Sequence, residues 1–466
     1  MMRGTGEMAY QGKTALVVGA GRSGLASARF LLGCGASVVL TDTRTEESLR
    51  SEIDSLRALP GAAGGLRLEL GGHRKESFAR CDFVVVSPGV SLTLPFFDIS
   101  RKSGIPVIAE VELASRHLKG KIIGITGSNG KTTTTTLVAA MLEGAGMRVH
   151  AAGNIGAPLI GFAAASRPAD VYAVELSSFQ LESIREFRPF IASVLNLTPD
   201  HMDRYPGFDA YVAAKRRIFM NQERTDFAVL NADDPAAAAL QDGIRATPVL
   251  FSRKSDVAPG AFVRGERVIF RDSEGEKDLF PTAAVGLKGL HNLENVLAAC
   301  AMAILAGAPP ESLEESVRRF RAVEHRIEWG RELDGVQYYN DSKATNVDAA
   351  TKALESFPGN VLWIAGGRDK AGDFTVLRAP VRERVRHAVL IGEAADKIRA
   401  ALEGAAEMSG ARSMEEAVSA CRSLARRGDV VLLAPACASF DMFDNYEHRG
   451  RVFKEAVNAL KPDSGF

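Results

Sequence analysis

Two kinds of pattern alternate along this chain. Short runs of β-branched and apolar residues end abruptly in glycine or polar clusters, and longer stretches with helical spacing follow them. That alternation predicts α/β units built on buried parallel strands. Strands are expected at Thr14–Val18, Ser37–Thr41, within Cys81–Gly89, at Ile105–Ala109, Ile122–Ile125, Val171–Glu175, Ile191–Asn196, Phe227–Leu230 and Val249–Phe251. A later set covers Val336–Tyr339, Val361–Ala365, Ala388–Ile391 and Val430–Ala434. Val263–Leu279 alternates weakly and is rich in turn residues, which predicts a hairpin insertion. Val296–Pro310 is nearly apolar over 15 residues, too short for a bilayer, and reads as a buried helix. The segments group into three consecutive α/β domains without an internal repeat. These are a Rossmann-like unit over 1–119, a central P-loop unit over 120–320 and a second Rossmann-like unit over 321–466.

Composition fits this division. A chain of 466 residues is too long for one core, and the length predicts about three domains. Lys+Arg and Asp+Glu are both 57, so no overall basic field attracts nucleic acid, and anionic ligands must be held by local groups. The five cysteines have no CxxC spacing, which argues against a zinc site or a disulfide framework and fits a reducing cytoplasm. The start, MMRGTGEMAYQGK, lacks the apolar core of a signal peptide, and Met8 is an alternative start. A soluble monomer without a membrane span is expected.

Chemistry concentrates where strands stop. In Lys121–Leu137, KIIGITGSNGKTTTTTL, a strand runs into Gly127-Ser128-Asn129-Gly130-Lys131-Thr132 and a helix resumes. Such a loop points backbone N–H groups at one spot and suits phosphate; Lys131 adds positive charge and Thr132 a hydroxyl ligand for Mg²⁺. The glycine spacing is irregular, because Ile125 stands where the first glycine of the general pattern belongs. Glu175 ends one strand and His201 follows another, so both fall at the carboxyl edge beside the loop. Together they favour a metal–nucleotide site; singly, Glu175 reads as a cap and His201 as a loop histidine. Asn292 and Asn295 share one helix face and either cap the helix or read a base edge. The turn Lys215-Arg216-Arg217 reads locally as a solvated face. Near the start, Gly19-x-Gly21-x-x-Gly24 with Asp42 18 residues further on is the dinucleotide fingerprint, though Asp42 serves equally as a turn cap. In the third unit, polar clusters at Asn340–Asn346, Gly366–Lys370 and Pro435–Ser439 follow three strands and suggest a second binding face closing on the phosphate loop.

The ordered set Gly127–Thr132, Glu175–Gln180, Asn196–His201, His291–Asn295 and His325-Arg326 resembles the motifs of the Mur ligases, ATP-dependent amide-forming enzymes of peptidoglycan precursor synthesis. Within that family, Asn340–Asn346, Pro435–Phe440 and Asn445–Gly450 resemble the sequences of the member adding D-glutamate to UDP-N-acetylmuramoyl-L-alanine. The resemblance implies that Gly21, Arg22, Ser23, Asp42, Thr43 and Gly89 contact UDP, and that Asn154 and His201 meet the rest of that substrate. It implies ATP at Gly127, Ser128, Asn129, Gly130, Lys131, Thr132, Thr133, Asn292, Asn295, Arg326 and Asp341. Mg²⁺ is implied at Thr132, Glu175, His201 and Lys215, the last as a carbamate. D-Glutamate is implied at Lys343, Thr345, Lys370, Ser439, Phe440 and Tyr446, and the catalytic set is Lys131, Glu175, His201, Lys215, Arg326 and Lys343. The implied route activates a carboxylate as an acyl phosphate, which the D-glutamate amine then attacks. An NAD-dependent oxidoreductase would rest on Gly19–Asp42 alone and leaves the P-loop unexplained. A nucleotide switch that hydrolyses ATP without an amino acid is the other alternative.

Overall fold

The computed structural model describes residues 10–287, 289–321 and 324–462. The N-terminal sequence with Met8, and Val323 at the start of the third unit, lie outside the described residues. Three β-sheets follow one another along the chain.

The first sheet comprises β1 (Thr14–Val18), β2 (Ser37–Asp42), β3 (Leu66–Leu70), β4 (Phe83–Val86) and β5 (Val107–Ala109), ordered β3-β2-β1-β4-β5 with parallel pairing throughout. Helices cover both faces, so the strands are apolar on both sides; Ala15, Leu16, Val17 and Val18 are all fully buried.

The second sheet comprises β6 (Lys121–Thr126), β7 (Arg148–Gly153), β8 (Asp170–Glu175), β9 (Ile191–Val194), β10 (Phe227–Asn231), β11 (Thr247–Ser252), β12 (Gly260–Arg264), β13 (Arg267–Asp272) and β14 (Gly275–Pro281). Its order is β14-β13-β12-β11-β10-β9-β6-β8-β7. The chain leaves β6 toward β8 and β7 on one side and returns to β9 on the other. The P-loop after β6 therefore lies at the point where the strand order reverses, the crevice in which open α/β sheets bind ligands. The expected hairpin insertion is instead an antiparallel extension: β12 pairs parallel with β11, and β13 and β14 continue the same sheet. Weak alternation hid this, because both faces of these strands are covered: Ala261, Val268 and Phe270 pack on a helix, while Phe262 and Ile269 form a small cluster with Val257 on the other face. That helix, Leu290–Ala306, is buried without interruption from Val296 to Ala303. It shares a core with the P-loop helix Lys131–Gly144 and with residues of β6 and β10–β13, which accounts for its lack of a polar face.

The third sheet comprises β15 (Glu328–Leu333), β16 (Val336–Asn340), β17 (Val361–Gly366), β18 (Val385–Ile391), β19 (Glu407–Gly410) and β20 (Val430–Leu433), ordered β15-β16-β20-β17-β18-β19. Only β15 runs antiparallel to its neighbour. The four strands expected here are its centre, and the two that sequence reading missed are its edges.

A short helix, Glu110–Ser115, locks the first sheet to the second with two buried acids. Glu112 accepts hydrogen bonds from the N–H groups of Arg185, Glu186 and Phe187 at 2.8–3.1 Å and pairs with Arg116. Glu110 accepts from Ile160 N–H at 2.6 Å, but its other oxygen is buried without a hydrogen-bond partner. Burial pushes the Glu110 carboxyl up to about 7. A carboxyl raised in the folded state contributes stability that is complete below its ordinary value near 4.5 and is lost as pH rises through 7. At about 1.4 kcal/mol per unit, the loss is about 3 kcal/mol at most. Glu110→Gln keeps the acceptor for Ile160 without the titration. Melting curves should show the midpoint difference between variant and wild type growing in the variant's favour from pH 6 to pH 8; parallel curves would contradict this.

Candidate active site

Parallel pairing sets the site. β6 lies between β8 and β9, with Ile125 opposite Glu175 and Thr126 opposite Val194, so the P-loop, Glu175 and the segment after β9 leave one edge together. The loop is braced from below. Asn196 accepts from Asn129 N–H at 2.8 Å and donates back to the Asn129 carbonyl at 3.2 Å, while Ser128 Oγ donates to the Thr198 carbonyl at 2.8 Å. Gly130 holds φ +82°, and a Cβ there would stand 2.2 Å from Asn295 Oδ1. Asn295 cannot easily yield, because its amide donates to Asn292 Oδ1 at 3.0 Å and its carbonyl accepts from Thr134 at 3.3 Å. The two asparagines thus bond to each other as well as flanking the loop.

Glu175 is the buried anion of this edge. Its two oxygens accept from Thr132 Oγ1 at 2.7 Å and Asn154 Nδ2 at 2.9 Å. Burial opposes its charge, but the ammonium groups of Lys343 and Lys131 and these two hydrogen bonds hold its carboxyl below the usual range. It is no helix cap. An ionised carboxylate beside a threonine hydroxyl is a hard oxygen donor set and fits Mg²⁺. Lys131 folds back onto the loop, donating to the carbonyls of Gly127 at 2.9 Å and Ser128 at 2.8 Å.

Lys215 departs from its local reading. Only 2% exposed, it reaches under the loop to donate to Gly127 O at 2.9 Å and Thr126 Oγ1 at 3.2 Å. Burial, reinforced by Lys131, lowers its pKa well below that of an ordinary lysine. Of the solvated turn expected at Lys215-Arg216-Arg217, Arg216 is exposed and Arg217 half-buried, while the helix Phe208–Arg216 turns the Lys215 side chain into the sheet edge. His201 adopts φ +58° and lies edge-on to Phe179 at 4.8 Å. Burial and the nearby Lys370 hold its imidazole at about 3, hence neutral at pH 7. The hydrogen bonds of Glu175 go to Thr132 and Asn154 rather than to His201.

The third sheet presents its carboxyl edge to this loop, as the polar clusters predicted. The Asn129 amide donates to Asp348, while Asp200 accepts from Lys370 at 2.7 Å and from Asn346 at 3.0 Å. A cleft of about 390 Å³, lined by Thr133, Asn292, Arg326, Trp329 and Tyr339 among others, opens between the two units. Its size is that of a small-molecule pocket. Asn129, Gly130, Asn295, Arg326 and Asp341 line an adjoining gap. Arg326 Nε and Asp341 Oδ1 are buried without hydrogen-bond partners, and burial raises the Asp341 carboxyl to about 6. Buried polar atoms left unpaired beside a phosphate loop fit a polar ligand such as a nucleotide.

Of the residues expected around the amino acid, Lys343 Nζ lies 3.2 Å from the Tyr446 hydroxyl, and burial lowers its pKa to about 8. Thr345 is half-buried and Ser439 buried. Phe440 is 63% exposed, so in this arrangement its ring lines nothing. Arg449, which sequence reading quoted only within a motif, is 1% exposed and donates to Ser342 Oγ and to the carbonyls of Ser342, Cys437 and Ala438. It ties the loops after β16 and β20 together.

In the first sheet Asp42 does cap the turn. Its oxygens accept from Ala20 N–H at 2.6 Å, Arg44 N–H at 2.8 Å and the Arg44 guanidinium at 3.0–3.1 Å. Gly21, Arg22, Ser23, Thr43 and Gly89 follow β1, β2 and β4, which are neighbours, so these residues share one edge. Gly24 must be glycine, since a Cβ would sit 1.8 Å from the Gly19 carbonyl.

Family models match most of the chain in the same order: "Mur ligase MurD-like, N-terminal domain" over 13–109, "Mur ligase middle domain" over 125–303 and "Mur ligase, glutamate ligase domain" over 325–437. The chain belongs to the Mur ligase family. A UDP-N-acetylmuramoylalanine–D-glutamate ligase of Koribacter versatilis is 48% identical, with 97% of this chain and 99% of the relative covered. Its namesake in Acidobacterium capsulatum is 49% identical over 97% of each. Among solved structures, a pseudomurein peptide ligase type C of Methanothermus fervidus superposes with TM-score 0.61 at 19% identity, covering 96% of this chain and all of that one. A UDP-N-acetylmuramate–alanine ligase of Thermotoga maritima gives 0.59 at 18%, again over 96% of this chain and all of its own. At those identities the structures share the three-domain Mur ligase fold. Family membership also removes the oxidoreductase reading of Gly19–Asp42.

Adding a methyl group at Gly130 both strains a left-handed backbone and displaces the Asn295 carboxamide, at a cost of at least about 1–2 kcal/mol. Gly130→Ala should weaken nucleotide binding, measured by calorimetry, by roughly tenfold or more, with the circular-dichroism spectrum unchanged. Unaltered affinity would contradict the arrangement.

Proposed function

We propose that this chain joins D-glutamate to UDP-N-acetylmuramoyl-L-alanine at the expense of ATP, forming an amide bond through an acyl phosphate. The observation that carries the reading is the full-length identity to D-glutamate ligases, combined with a phosphate loop whose Thr132 meets Glu175. ATP use follows from the family. Boundaries near 119/120 and 320/321, the residue roles below, Mg²⁺, a cytoplasmic setting and a monomeric state are parts of this reading. Among the described residues no helix is long and apolar enough to cross a membrane.

The first step brings a substrate carboxylate against the γ-phosphate, and these two anions repel. The P-loop N–H groups hold the phosphates, Lys131 exchanges its contacts with Gly127 and Ser128 for phosphate oxygens, and Arg326 faces them across the cleft. Thr132, Glu175 and neutral His201 would hold Mg²⁺, with Lys215 as a carbamate a further ligand; the metal supplies positive charge to the phosphoryl oxygens. Only the neutral amine of a lysine adds CO₂, releasing a proton as the carbamate forms. The burial of Lys215 supports that form. A carboxylate oxygen attacks phosphorus, the bond to ADP breaks, and the acyl phosphate results. The second step needs a neutral amine on D-glutamate. Lys343, Thr345, Lys370, Ser439 and Tyr446 at the third sheet's edge hold its carboxylates while the amine attacks the acyl carbon and phosphate departs. Asn292 and Asn295 flank the nucleotide end of the cleft, and the first sheet's edge receives UDP.

Phosphate release should require ATP, the UDP-linked substrate and D-glutamate together, and other amino acids should not replace D-glutamate. Lys131→Ala should lower kcat by about 10³-fold or more while the fold persists. Phosphate release from ATP alone at the full rate would establish a nucleotide switch instead.

A further inference from the structure

The contact between the second and third units includes an ion pair that the ligase reading leaves unexplained. Asp200, 9% exposed, lies in the segment after β9. Its Oδ1 accepts from Lys370 Nζ at 2.7 Å and from the N–H of His201 at 2.9 Å, and its Oδ2 accepts from Asn346 Nδ2 at 3.0 Å. Lys370 and Asn346 belong to the loops after two different strands of the third sheet, β17 and β16. Asn346 is also the N-cap of the helix Val347–Glu355, its side-chain Oδ1 accepting from Ala349 N–H at 2.8 Å. One aspartate from the central unit therefore fixes a lysine, a helix start and the spacing between two loops on the opposite wall.

Lysine is a long, flexible side chain, and on an open edge its ammonium samples many positions. Asp200 removes that freedom, yet it takes only one of the three ammonium donors. The pair with Asp200 is nearly buried on both sides, at 15% and 8% side-chain exposure, so bulk water screens it little. Parting the two units separates the pair and leaves Asp200 without either of its partners from the third sheet.

We propose that Asp200 is a positioning residue: it holds Lys370 across the cleft so that the carboxylate of the incoming amino acid meets a fixed ammonium only when the second and third units are closed. Amino-acid binding and closure are then one event, and attack on the activated carboxyl is confined to the closed state. The inference rests on the ligase reading and adds to it a residue that touches no reacting atom.

A double-mutant cycle tests it, using the full-length protein with ATP, the UDP-linked substrate and D-glutamate. Asp200→Asn should raise KM for D-glutamate by roughly tenfold or more while KM for ATP stays within about twofold. Combined with Lys370→Met it should be no worse than Lys370→Met alone, since both changes remove the same interaction. Asp200→Glu keeps the charge but displaces it by one methylene group. It should raise KM for D-glutamate by a smaller factor, and it provides the reading if Asp200→Asn does not fold. Additive effects in the double variant, equal changes in both KM values, or an unchanged KM for D-glutamate in Asp200→Glu would overturn the proposal. Failure of the ligase reading itself would look different, because wild type would then lack D-glutamate-dependent phosphate release altogether.

Discussion

In the proposed reaction two anions meet in this cleft, and the buried carboxylate of Glu175 is the group around which charge is balanced there. It would be costly in isolation, since burial disfavours its ionised form. Thr132 and Asn154 satisfy its oxygens, and Lys131 and Lys343 keep it ionised from opposite walls of the cleft. Those lysines in turn oppose one another, and burial together with Lys131 depresses Lys215, whose amine lies beneath the loop. The parallel pairing of β6 with β8 and β9 is what places them within reach.

The two halves of the site differ in how they are built. The phosphate half is braced within one sheet: Asn196 grips the Asn129 backbone, and Asn295 fills the space that a side chain at Gly130 would need. The half proposed for the amino acid is assembled from loops after β16, β17 and β20, tied by the buried guanidinium of Arg449 and joined to the P-loop half through Asp200 and Asp348. By contrast, the first sheet is fixed to the second by Glu110 and Glu112, which cap backbone groups and reach no ligand. The junction beside the P-loop is made by side-chain pairs, whereas the junction behind it is made by carboxylates capping backbone N–H groups.

Much of this was legible before any geometry. Buried parallel strands read as continuous apolar runs, so β1, β6, β8, β9 and β17 stood out; the edge strands β3, β15 and β19 did not, because half their residues face solvent. The P-loop, Glu175 and the three polar clusters were found where strands stop, since polar residues at such positions have few purely structural reasons to gather. Lys215 was misread from its neighbours, because a charged helical turn says nothing about which residue points inward. Asp200 was invisible for another reason: its partner is 170 positions away, and only the fold brings them together. Asp42 carried two readings from sequence, and its bonds to Ala20 and Arg44 settle that it caps the turn.

The central claim is that ATP is spent on making a carboxyl group reactive rather than on hydrolysis. If so, an oxygen of that carboxylate must leave with the phosphate. The decisive measurement is therefore to label the substrate carboxylate with ¹⁸O, run one turnover with ATP and D-glutamate, and determine the mass of the released phosphate. The account predicts phosphate carrying one ¹⁸O from the substrate; phosphate free of the label would contradict it.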